Sequence, residues 1–232
     1  MTACLEARGL TVGYGSLTVA RDLHLRVEPG KVVLILGPNG VGKTTTLLTL
    51  AGALPALAGE TSFLGAPTRA RLHRRARQGL AFVPDERGAI TRLTVDENLR
   101  LGLGDRDRAY ELFPELRTLR GRRAGLLSGG EQKMLALALA LSGDPAVLLA
   151  DELSMGLAPQ IVTRLLDVIR RRADGGLAVL LVEQHALQAL AIADHVVVMA
   201  QGGIQMSGPV AEIRDDLERI LEAGYMAKRD ER

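Results

Sequence analysis

The distribution of apolar residues along the chain predicts a set of strands, several of them buried on both faces. The runs 32–36, 146–150 and 177–182 are apolar throughout and show no alternation with polar residues. Strands of a parallel sheet covered on both faces have this pattern. Further strands are predicted at 5–12, 23–27, 60–64, 79–83 and 195–200.

Helical patterns lie between several of these strands. Residues 43–51 form a predicted helix that ends at Gly52, and residues 159–173 form another that ends at Gly175. Because strands and helices alternate, the pattern favours an α/β fold built on a mostly parallel sheet.

A helical arm is predicted within this α/β unit. Residues 86–142 carry mostly helical patterns, unlike the segments on either side. We therefore expect one domain over residues 1–232, in which 1–85 and 143–232 form the core and 86–142 form an inserted helical subdomain.

Length and composition fit one soluble unit of this kind. The 232 residues are 47% hydrophobic, which is enough to bury a sizeable core. No apolar run approaches the roughly 20 residues that a membrane helix needs, and the first residues lack the pattern of a signal segment. We therefore expect a cytoplasmic protein. The single cysteine, Cys4, excludes an internal disulfide and a cysteine-rich zinc site.

The charge balance argues against a nucleic-acid partner. The net charge is +2, aromatic residues make up 3% of the chain and Trp is absent, so few side chains are available to stack on bases. Arginines do cluster at 69–77, 117–123 and 170–172. A solvated helix face explains these clusters better than a nucleic-acid patch, and a membrane-proximal face is a further alternative.

One glycine-rich segment has the pattern G-x-x-x-x-G-K-[ST] of a phosphate-binding loop. It follows the buried run 32–36 and leads into the predicted helix, which is the context that this chemistry requires and that a chance glycine turn lacks. Backbone N–H groups made accessible by Gly40 and Gly42 would surround the phosphates, Lys43 would reach the β- and γ-phosphates, and the Thr44 hydroxyl would ligate Mg²⁺. The expected nucleotide-binding residues are Gly37, Pro38, Asn39, Gly40, Val41, Gly42, Lys43, Thr44 and Thr45.

A second motif, the run Leu-Ser-Gly-Gly-Glu-Gln at residues 127–132, precedes a long helix-forming stretch. Ser128 and Glu131 have the spacing of a capping box, so the run also has a purely structural interpretation as a helix start. The two interpretations are compatible, because a glycine-rich helix N-terminus presents free N–H groups to a γ-phosphate. We expect Ser128, Gly129, Gly130 and Glu131 to contact nucleotide, with the glycines allowing close approach to a phosphate.

Acidic residues follow the buried run 146–150. Because ligands of open parallel sheets bind at the carboxyl ends of the strands, Asp151 is expected to hold Mg²⁺ and Glu152 to position or deprotonate the attacking water. An exposed acidic pair at the start of a loop is the alternative. His185 follows another apolar strand and is a candidate for holding the water and the γ-phosphate, although a lone histidine is usually structural.

Together these motifs resemble the ATP-binding subunits of ABC transporters over nearly the whole chain. The resemblance implies a P-loop core of the ABC type with additional N-terminal antiparallel strands. It also implies that ATP and ADP bind with Mg²⁺ between two subunits, the chain itself or a second ABC ATPase, arranged head to tail. The matching parts are the Walker A loop (37–44), the signature (128–132), the Walker B end (Asp151 and Glu152), the switch histidine (His185) and an A-loop aromatic that stacks on adenine (Tyr14).

The resemblance narrows to importers of branched-chain amino acids, and in particular to the smaller of their two ATPase subunits. Residues 92–99, 110–114, 156–159 and 182–185 carry it. It implies ATP hydrolysis that powers transport, at the cytoplasmic face of the membrane and on permease subunits. Importers of urea or short amides and some lipid exporters share much of the pattern. A nontransport ABC ATPase and an ATP-binding regulatory subunit with little turnover are further alternatives.

Three positions depart from the general family pattern. Asp85 stands in place of the usual glutamine, where its carboxylate is expected to ligate Mg²⁺ or one of its waters, or else to serve only the turn after Pro84. Leu153 replaces the proline after the Walker B pair, and Ala158 replaces an aspartate. None of the three removes a primary phosphate contact, so a working ATPase is expected.

Overall fold

The computed structural model describes residues 2–85, 88–183 and 186–213. In chain order the strands are β1 (Leu5–Tyr14), β2 (Leu17–Val27), β3 (Val32–Leu36), β4 (Ala58–Phe63), β5 (Ala66–Pro67), β6 (Leu80–Val83), β7 (Val147–Asp151), β8 (Ala178–Glu183), β9 (His195–Ala200) and β10 (Gly203–Pro209). The helices are α1 (Lys43–Ala51), α2 (Leu72–Arg77), α3 (Val95–Leu101), α4 (Arg106–Leu112), α5 (Glu115–Thr118), α6 (Gly129–Leu141), α7 (Pro159–Asp174) and α8 (Ala186–Leu190).

The central layer is a six-stranded sheet in the order β10-β9-β3-β8-β7-β6. All its neighbouring pairs are parallel except β9 and β10. Every residue of β3, β7 and β8 is buried, as the continuous apolar runs predict. Because parallel strands end at the same edge, the loops after β3, β6, β7 and β8 meet there.

A second sheet, antiparallel and in the order β2-β1-β4-β5, covers one face of the central layer. Helix α1 packs in the same apolar cluster, where Leu47 and Leu50 join Leu5 of β1 and Ile35 of β3. The opposite face of the central sheet packs against α6 and α7. The α/β fold is therefore confirmed as three layers, with α1 in the core between the two sheets.

Two strand predictions need correction. The predicted strands 5–12 and 23–27 are parts of one longer hairpin, in which β1 reaches Tyr14 and β2 begins at Leu17. Register shifts near Val12 interrupt the pairing, so the hydrophobic alternation that marks a strand is lost there. Strand β10 was not predicted, because it is a largely exposed edge strand with glycines and a proline.

The region between β6 and β7 carries α3, α4, α5 and α6, in agreement with the helical pattern of the sequence. The buried Asn98 side chain ties this region together: its amide nitrogen donates to the carbonyls of Ile90, Leu93 and Thr94, and its Oδ1 accepts from the Ile90 amide. Thr94 and Glu97 form a capping box at the start of α3.

None of the helices that the structure describes is long and apolar enough to cross a membrane.

Candidate nucleotide-binding site

Residues 37–42 form the loop between β3 and α1, as the glycine-rich motif predicts. Gly42 has φ +107°, and a β-carbon there would lie 3.0 Å from Val19 Cγ1 on β2. A β-carbon on Gly37 would lie 2.4 Å from the Met199 carbonyl oxygen. Side chains are therefore excluded at both ends of the loop, at positions 37 and 42, and this keeps the loop backbone accessible.

Lys43 is the first residue of α1, and its side chain folds back over this loop. The ammonium donates to the carbonyls of Gly37 at 2.9 Å and Pro38 at 3.1 Å. Burial lowers the pKa of Lys43, whereas the carboxylates of Glu152, Asp151 and Glu183 act in the opposite direction. The loop thus holds a buried cation at the N-terminus of a helix, where an anion is favoured.

Asp151 ends β7 inside the same edge of the sheet. It is 3% exposed, and its Oδ1 has no hydrogen-bond partner among the described residues. Burial raises the pKa of Asp151, while the Thr44 hydroxyl opposes the rise. A buried carboxylate oxygen without a partner beside an exposed threonine hydroxyl is the donor set expected of a Mg²⁺ site.

The described residues supply few protein ligands to such a site. No group of three or more His, Cys, Asp or Glu side chains suited to a metal occurs in residues 2–85, 88–183 and 186–213. Mg²⁺ usually keeps several waters and takes oxygens from substrate phosphates as well as one or two protein ligands. The pair Asp151 and Thr44 therefore fits Mg²⁺ that binds together with a nucleotide.

Glu152 starts the next turn with φ +42°, in the left-handed region that non-glycine residues rarely adopt. Its amide donates to the Val182 carbonyl at 2.9 Å, which fixes the turn against β8. Leu153, in place of the usual proline, is 2% exposed and packs in the apolar core. Its burial explains how the turn accommodates this departure.

Glu183 ends β8 and ties the turn after β7 to that strand. Its carboxylate accepts from the Ser154 amide at 3.1 Å and from the Ser154 hydroxyl at 2.5 Å. Burial raises the pKa of Glu183 to about 7, and the neighbouring Glu152 adds to the rise, whereas the bonds from Ser154 oppose it. Glu183 is therefore a buried acid that titrates near neutral pH.

The signature run forms the start of α6. Ser128 Oγ accepts from the Glu131 amide at 3.4 Å, and Glu131 Oε2 accepts from the Ser128 amide at 2.7 Å, so the predicted capping box is present. Gly129 is exposed and Gly130 is buried. A β-carbon on Gly130 would lie 2.9 Å from Ile161 Cγ2 on α7. Packing against α7 therefore accounts for glycine at position 130 whether or not a phosphate approaches it.

The other candidates fall in different settings. Tyr14 is half exposed at the end of the β1–β2 hairpin, whose residues Val19 and Ala20 flank Gly42. Asp85 lies beyond β6, within 3.4 Å of the Lys133 ammonium of α6. Thr45 is buried within α1. His185 lies outside the described residues.

Sequence reasoning missed two charged residues of this edge, Glu183 and Lys133. Glu183 could have been recognised from the sequence, because it directly follows the apolar run 177–182 and lies in the segment that carries His185. Lys133 precedes the apolar stretch of α6 and resembles an ordinary helix cation, so only the structure places it near Asp85.

Comparisons with known proteins agree with this geometry. The family profile described as ABC transporter matches residues 20–154. The chain is 39% identical to the high-affinity branched-chain amino acid transport ATP-binding protein BraG of Pseudomonas aeruginosa, over 83% of the chain and 87% of the relative. It is 34% identical to the lipopolysaccharide export system ATP-binding protein LptB of Escherichia coli strain K12, over 92% of the chain and 94% of the relative.

A solved structure confirms the fold. The nucleotide-free ATP-binding cassette of an ABC transporter superposes with a TM-score of 0.81 at 25% identity, over 94% of this chain and 96% of that one. The probable branched-chain amino acid transport ATP-binding protein LivF of Archaeoglobus fulgidus is 34% identical, over 88% of the chain and 91% of the relative.

We expect Glu183→Gln to stabilise the protein more strongly as pH rises. Glutamine mimics the protonated acid at every pH. In the wild type the pKa of Glu183 is raised from 4.5 to about 7 on folding, so the stability present below about pH 4.5 is lost as pH rises toward about 7. Urea unfolding at about pH 5 and at about pH 8 measures the free energy of unfolding of both proteins. The difference between variant and wild type should be larger at the higher pH, in favour of the variant, by on the order of 2 kcal/mol. Glu111→Gln, at an exposed site, is the control. A pH-independent difference for Glu183→Gln would contradict the assignment.

Proposed function

The chain belongs to the family of ABC transporter ATP-binding proteins, which hydrolyse ATP, and we propose that it powers import of branched-chain amino acids or a related small polar solute. The similarity to BraG and LivF carries this choice of solute. Three parts of the site support ATP turnover: the phosphate-binding loop, the buried Asp151 and the adjacent Glu152.

Each part has a proposed role. Residues 37–45 bind the phosphates through backbone N–H groups, and Lys43 neutralises their charge. Thr44 and Asp151 hold Mg²⁺, which offsets phosphate charge when bound. Glu152 orients or deprotonates the attacking water, and His185 assists in holding it. Asp85 remains a proposed further ligand of Mg²⁺ or its waters, in competition with its contact to Lys133.

A complete site requires a second subunit in this proposal. Among the described residues, no hydrogen bond or ion pair joins Ser128, Gly129 or Glu131 to residues 37–44, although both segments are expected to contact nucleotide. In a head-to-tail dimer, Ser128 to Glu131 of one subunit would face the phosphates held by the other. Tyr14 would stack on the adenine.

Permease subunits are the proposed membrane partners, which places the protein at the cytoplasmic face of the membrane. Four large apolar side chains in or beside the helical region are each more than half exposed and are candidates for contact with a permease: Ile90, Leu101, Leu103 and Leu126. We also propose that residues 86–142 act as one subdomain, between core segments 1–85 and 143–232. No nucleic-acid partner is proposed.

Lipid export is the second candidate function, because the similarity to LptB covers more of the chain than that to BraG. Reconstitution with permease subunits of a branched-chain amino acid importer would distinguish the two. We expect ATP-dependent uptake of labelled leucine, or of urea or a short amide, into proteoliposomes, with Lys43→Ala as the inactive control. ATP turnover without uptake of any of these solutes would contradict the import proposal.

Lys43→Ala and Glu152→Gln should fail at different steps. The first removes the charge that offsets the phosphates and should weaken ATP binding by at least about 100-fold, whereas the second removes only the base and should keep binding while slowing hydrolysis by at least about 100-fold. Equilibrium ATP binding and steady-state phosphate release measure the two. Equal loss of binding in both variants would refute the role assignment.

ATP should join two Glu152→Gln subunits into a dimer, and Ser128→Arg in that background should prevent it by filling the phosphate position. Size-exclusion chromatography with and without ATP measures the shift. Ser128→Ala is the matched control, because it removes the helix cap, at a cost of about 1 kcal/mol, without filling the space. Dimerisation of the arginine variant would contradict the head-to-tail arrangement.

A further inference from the structure

Lys133 lies on α6, a little more than one turn beyond Ser128, and its side chain is 14% exposed. Its ammonium reaches three oxygen atoms: the Asp85 carbonyl at 2.7 Å, the Glu152 carbonyl at 3.3 Å and Asp85 Oδ1 at 3.4 Å. A lysine ammonium has three N–H donors and no acceptor. Every donor of Lys133 therefore has an acceptor within reach, and two of the three acceptors are backbone carbonyls.

These carbonyls belong to two different loops at the carboxyl edge of the sheet. Asp85 follows β6, and Glu152 follows β7. The backbone of Glu152 has φ +42°, a conformation that is strained outside glycine and persists only where surrounding contacts hold it. The Val182 carbonyl holds the amide of Glu152, and Lys133 holds its carbonyl.

We propose that Lys133 is a positioning residue that couples the signature helix to the orientation of Glu152 and Asp85. This proposal rests on the proposed head-to-tail dimer. There, Ser128 at the start of α6 faces the nucleotide of the partner subunit, whereas Glu152 faces the nucleotide of its own subunit. A shift of α6 on nucleotide contact moves the Lys133 ammonium and, with it, the turn that aims the catalytic carboxylate.

Lysine suits this position for geometric and electrostatic reasons. A glutamine amide has only two N–H donors and no charge, so it leaves one of the three oxygens without a partner. The positive charge also lies near the carboxylate of Asp85. That carboxylate adds to the negative potential at Asp151. Helix α6 thus brings a cation to the loops on one side of the site, while α1 brings Lys43 to the other.

The test compares Lys133→Met, Lys133→Arg and a matched control, Lys31→Met. Lys31 pairs with Asp194 before β3 begins, at the amino end of the sheet and away from the site. In Lys133→Met we expect kcat to fall about tenfold and the Kd for ATP to change by less than about twofold, because the turn carrying the base is released but the phosphate contacts remain. Lys133→Arg should recover most of kcat, and Lys31→Met should match wild type. A wild-type kcat in Lys133→Met, or an equal loss of ATP binding, would overturn the proposal.

A double variant separates backbone positioning from simple charge neutralisation. If Lys133 acts on the two carbonyls, Asp85→Asn combined with Lys133→Met should be no faster than Lys133→Met alone. Recovery of kcat in the double variant would show that Lys133 only neutralises Asp85, and would overturn the positioning role. If Lys133→Met does not fold, Lys133→Gln takes its place, and a kcat within about twofold of wild type would then count against the proposal.

Failure of the role proposed for Lys133 can be distinguished from failure of the proposed ATPase function. Lys43→Ala and Glu152→Gln test ATP binding and hydrolysis without reference to Lys133, and ATP-driven dimerisation of Glu152→Gln tests the assembly. Adding Lys133→Met to Glu152→Gln should leave that dimerisation intact, because no phosphate contact is removed. If ATP dimerises Glu152→Gln but not the double variant with Lys133→Met, then Lys133 belongs to the interface and the positioning role is overturned.

Discussion

Burial of both faces of β3, β7 and β8 is the constraint on which the rest of the molecule depends. Strands covered on both sides can present polar groups only at their ends, and parallel strands bring equivalent ends to one edge. Asp151 and Glu183 are the last residues of their strands, and Lys43 begins the helix that follows β3. The same burial raises the pKa values of both acids, so packing and site chemistry have a common cause.

The site is a balance of opposite charges brought in by different elements. Strand ends and the turns after them supply carboxylates, which favour a metal cation. Helices supply the cations: Lys43 at the first position of α1 and Lys133 near the start of α6. Since the N-terminus of a helix is itself positive, each lysine adds to a field that favours phosphate. A nucleotide with its metal is complementary to both halves of this arrangement.

The parts of the structure that depend on local pattern were predictable from the sequence. The strand Val32–Leu36 and the helix Lys43–Ala51 have the predicted bounds, because an apolar run, a glycine loop and Gly52 mark them. The edge strand β10 and the full hairpin of β1 and β2 were not predictable, since exposed or irregular pairing erases the period of two. The contacts of Lys133 with Asp85 and Glu152 join residues distant in sequence, and no spacing rule encodes them.

The close approach of Gly130 to Ile161 affects how substitutions in the signature are interpreted. Any side chain at position 130 meets the branched side chain of Ile161 on α7. Under the proposed head-to-tail arrangement, loss of activity on substitution there has two separate origins, displacement of helix packing and obstruction of nucleotide. A smaller residue at position 161 relieves only the first. The side chains that position 130 can accept are thus set by the chain's own helix α7, through Ile161, independently of any ligand.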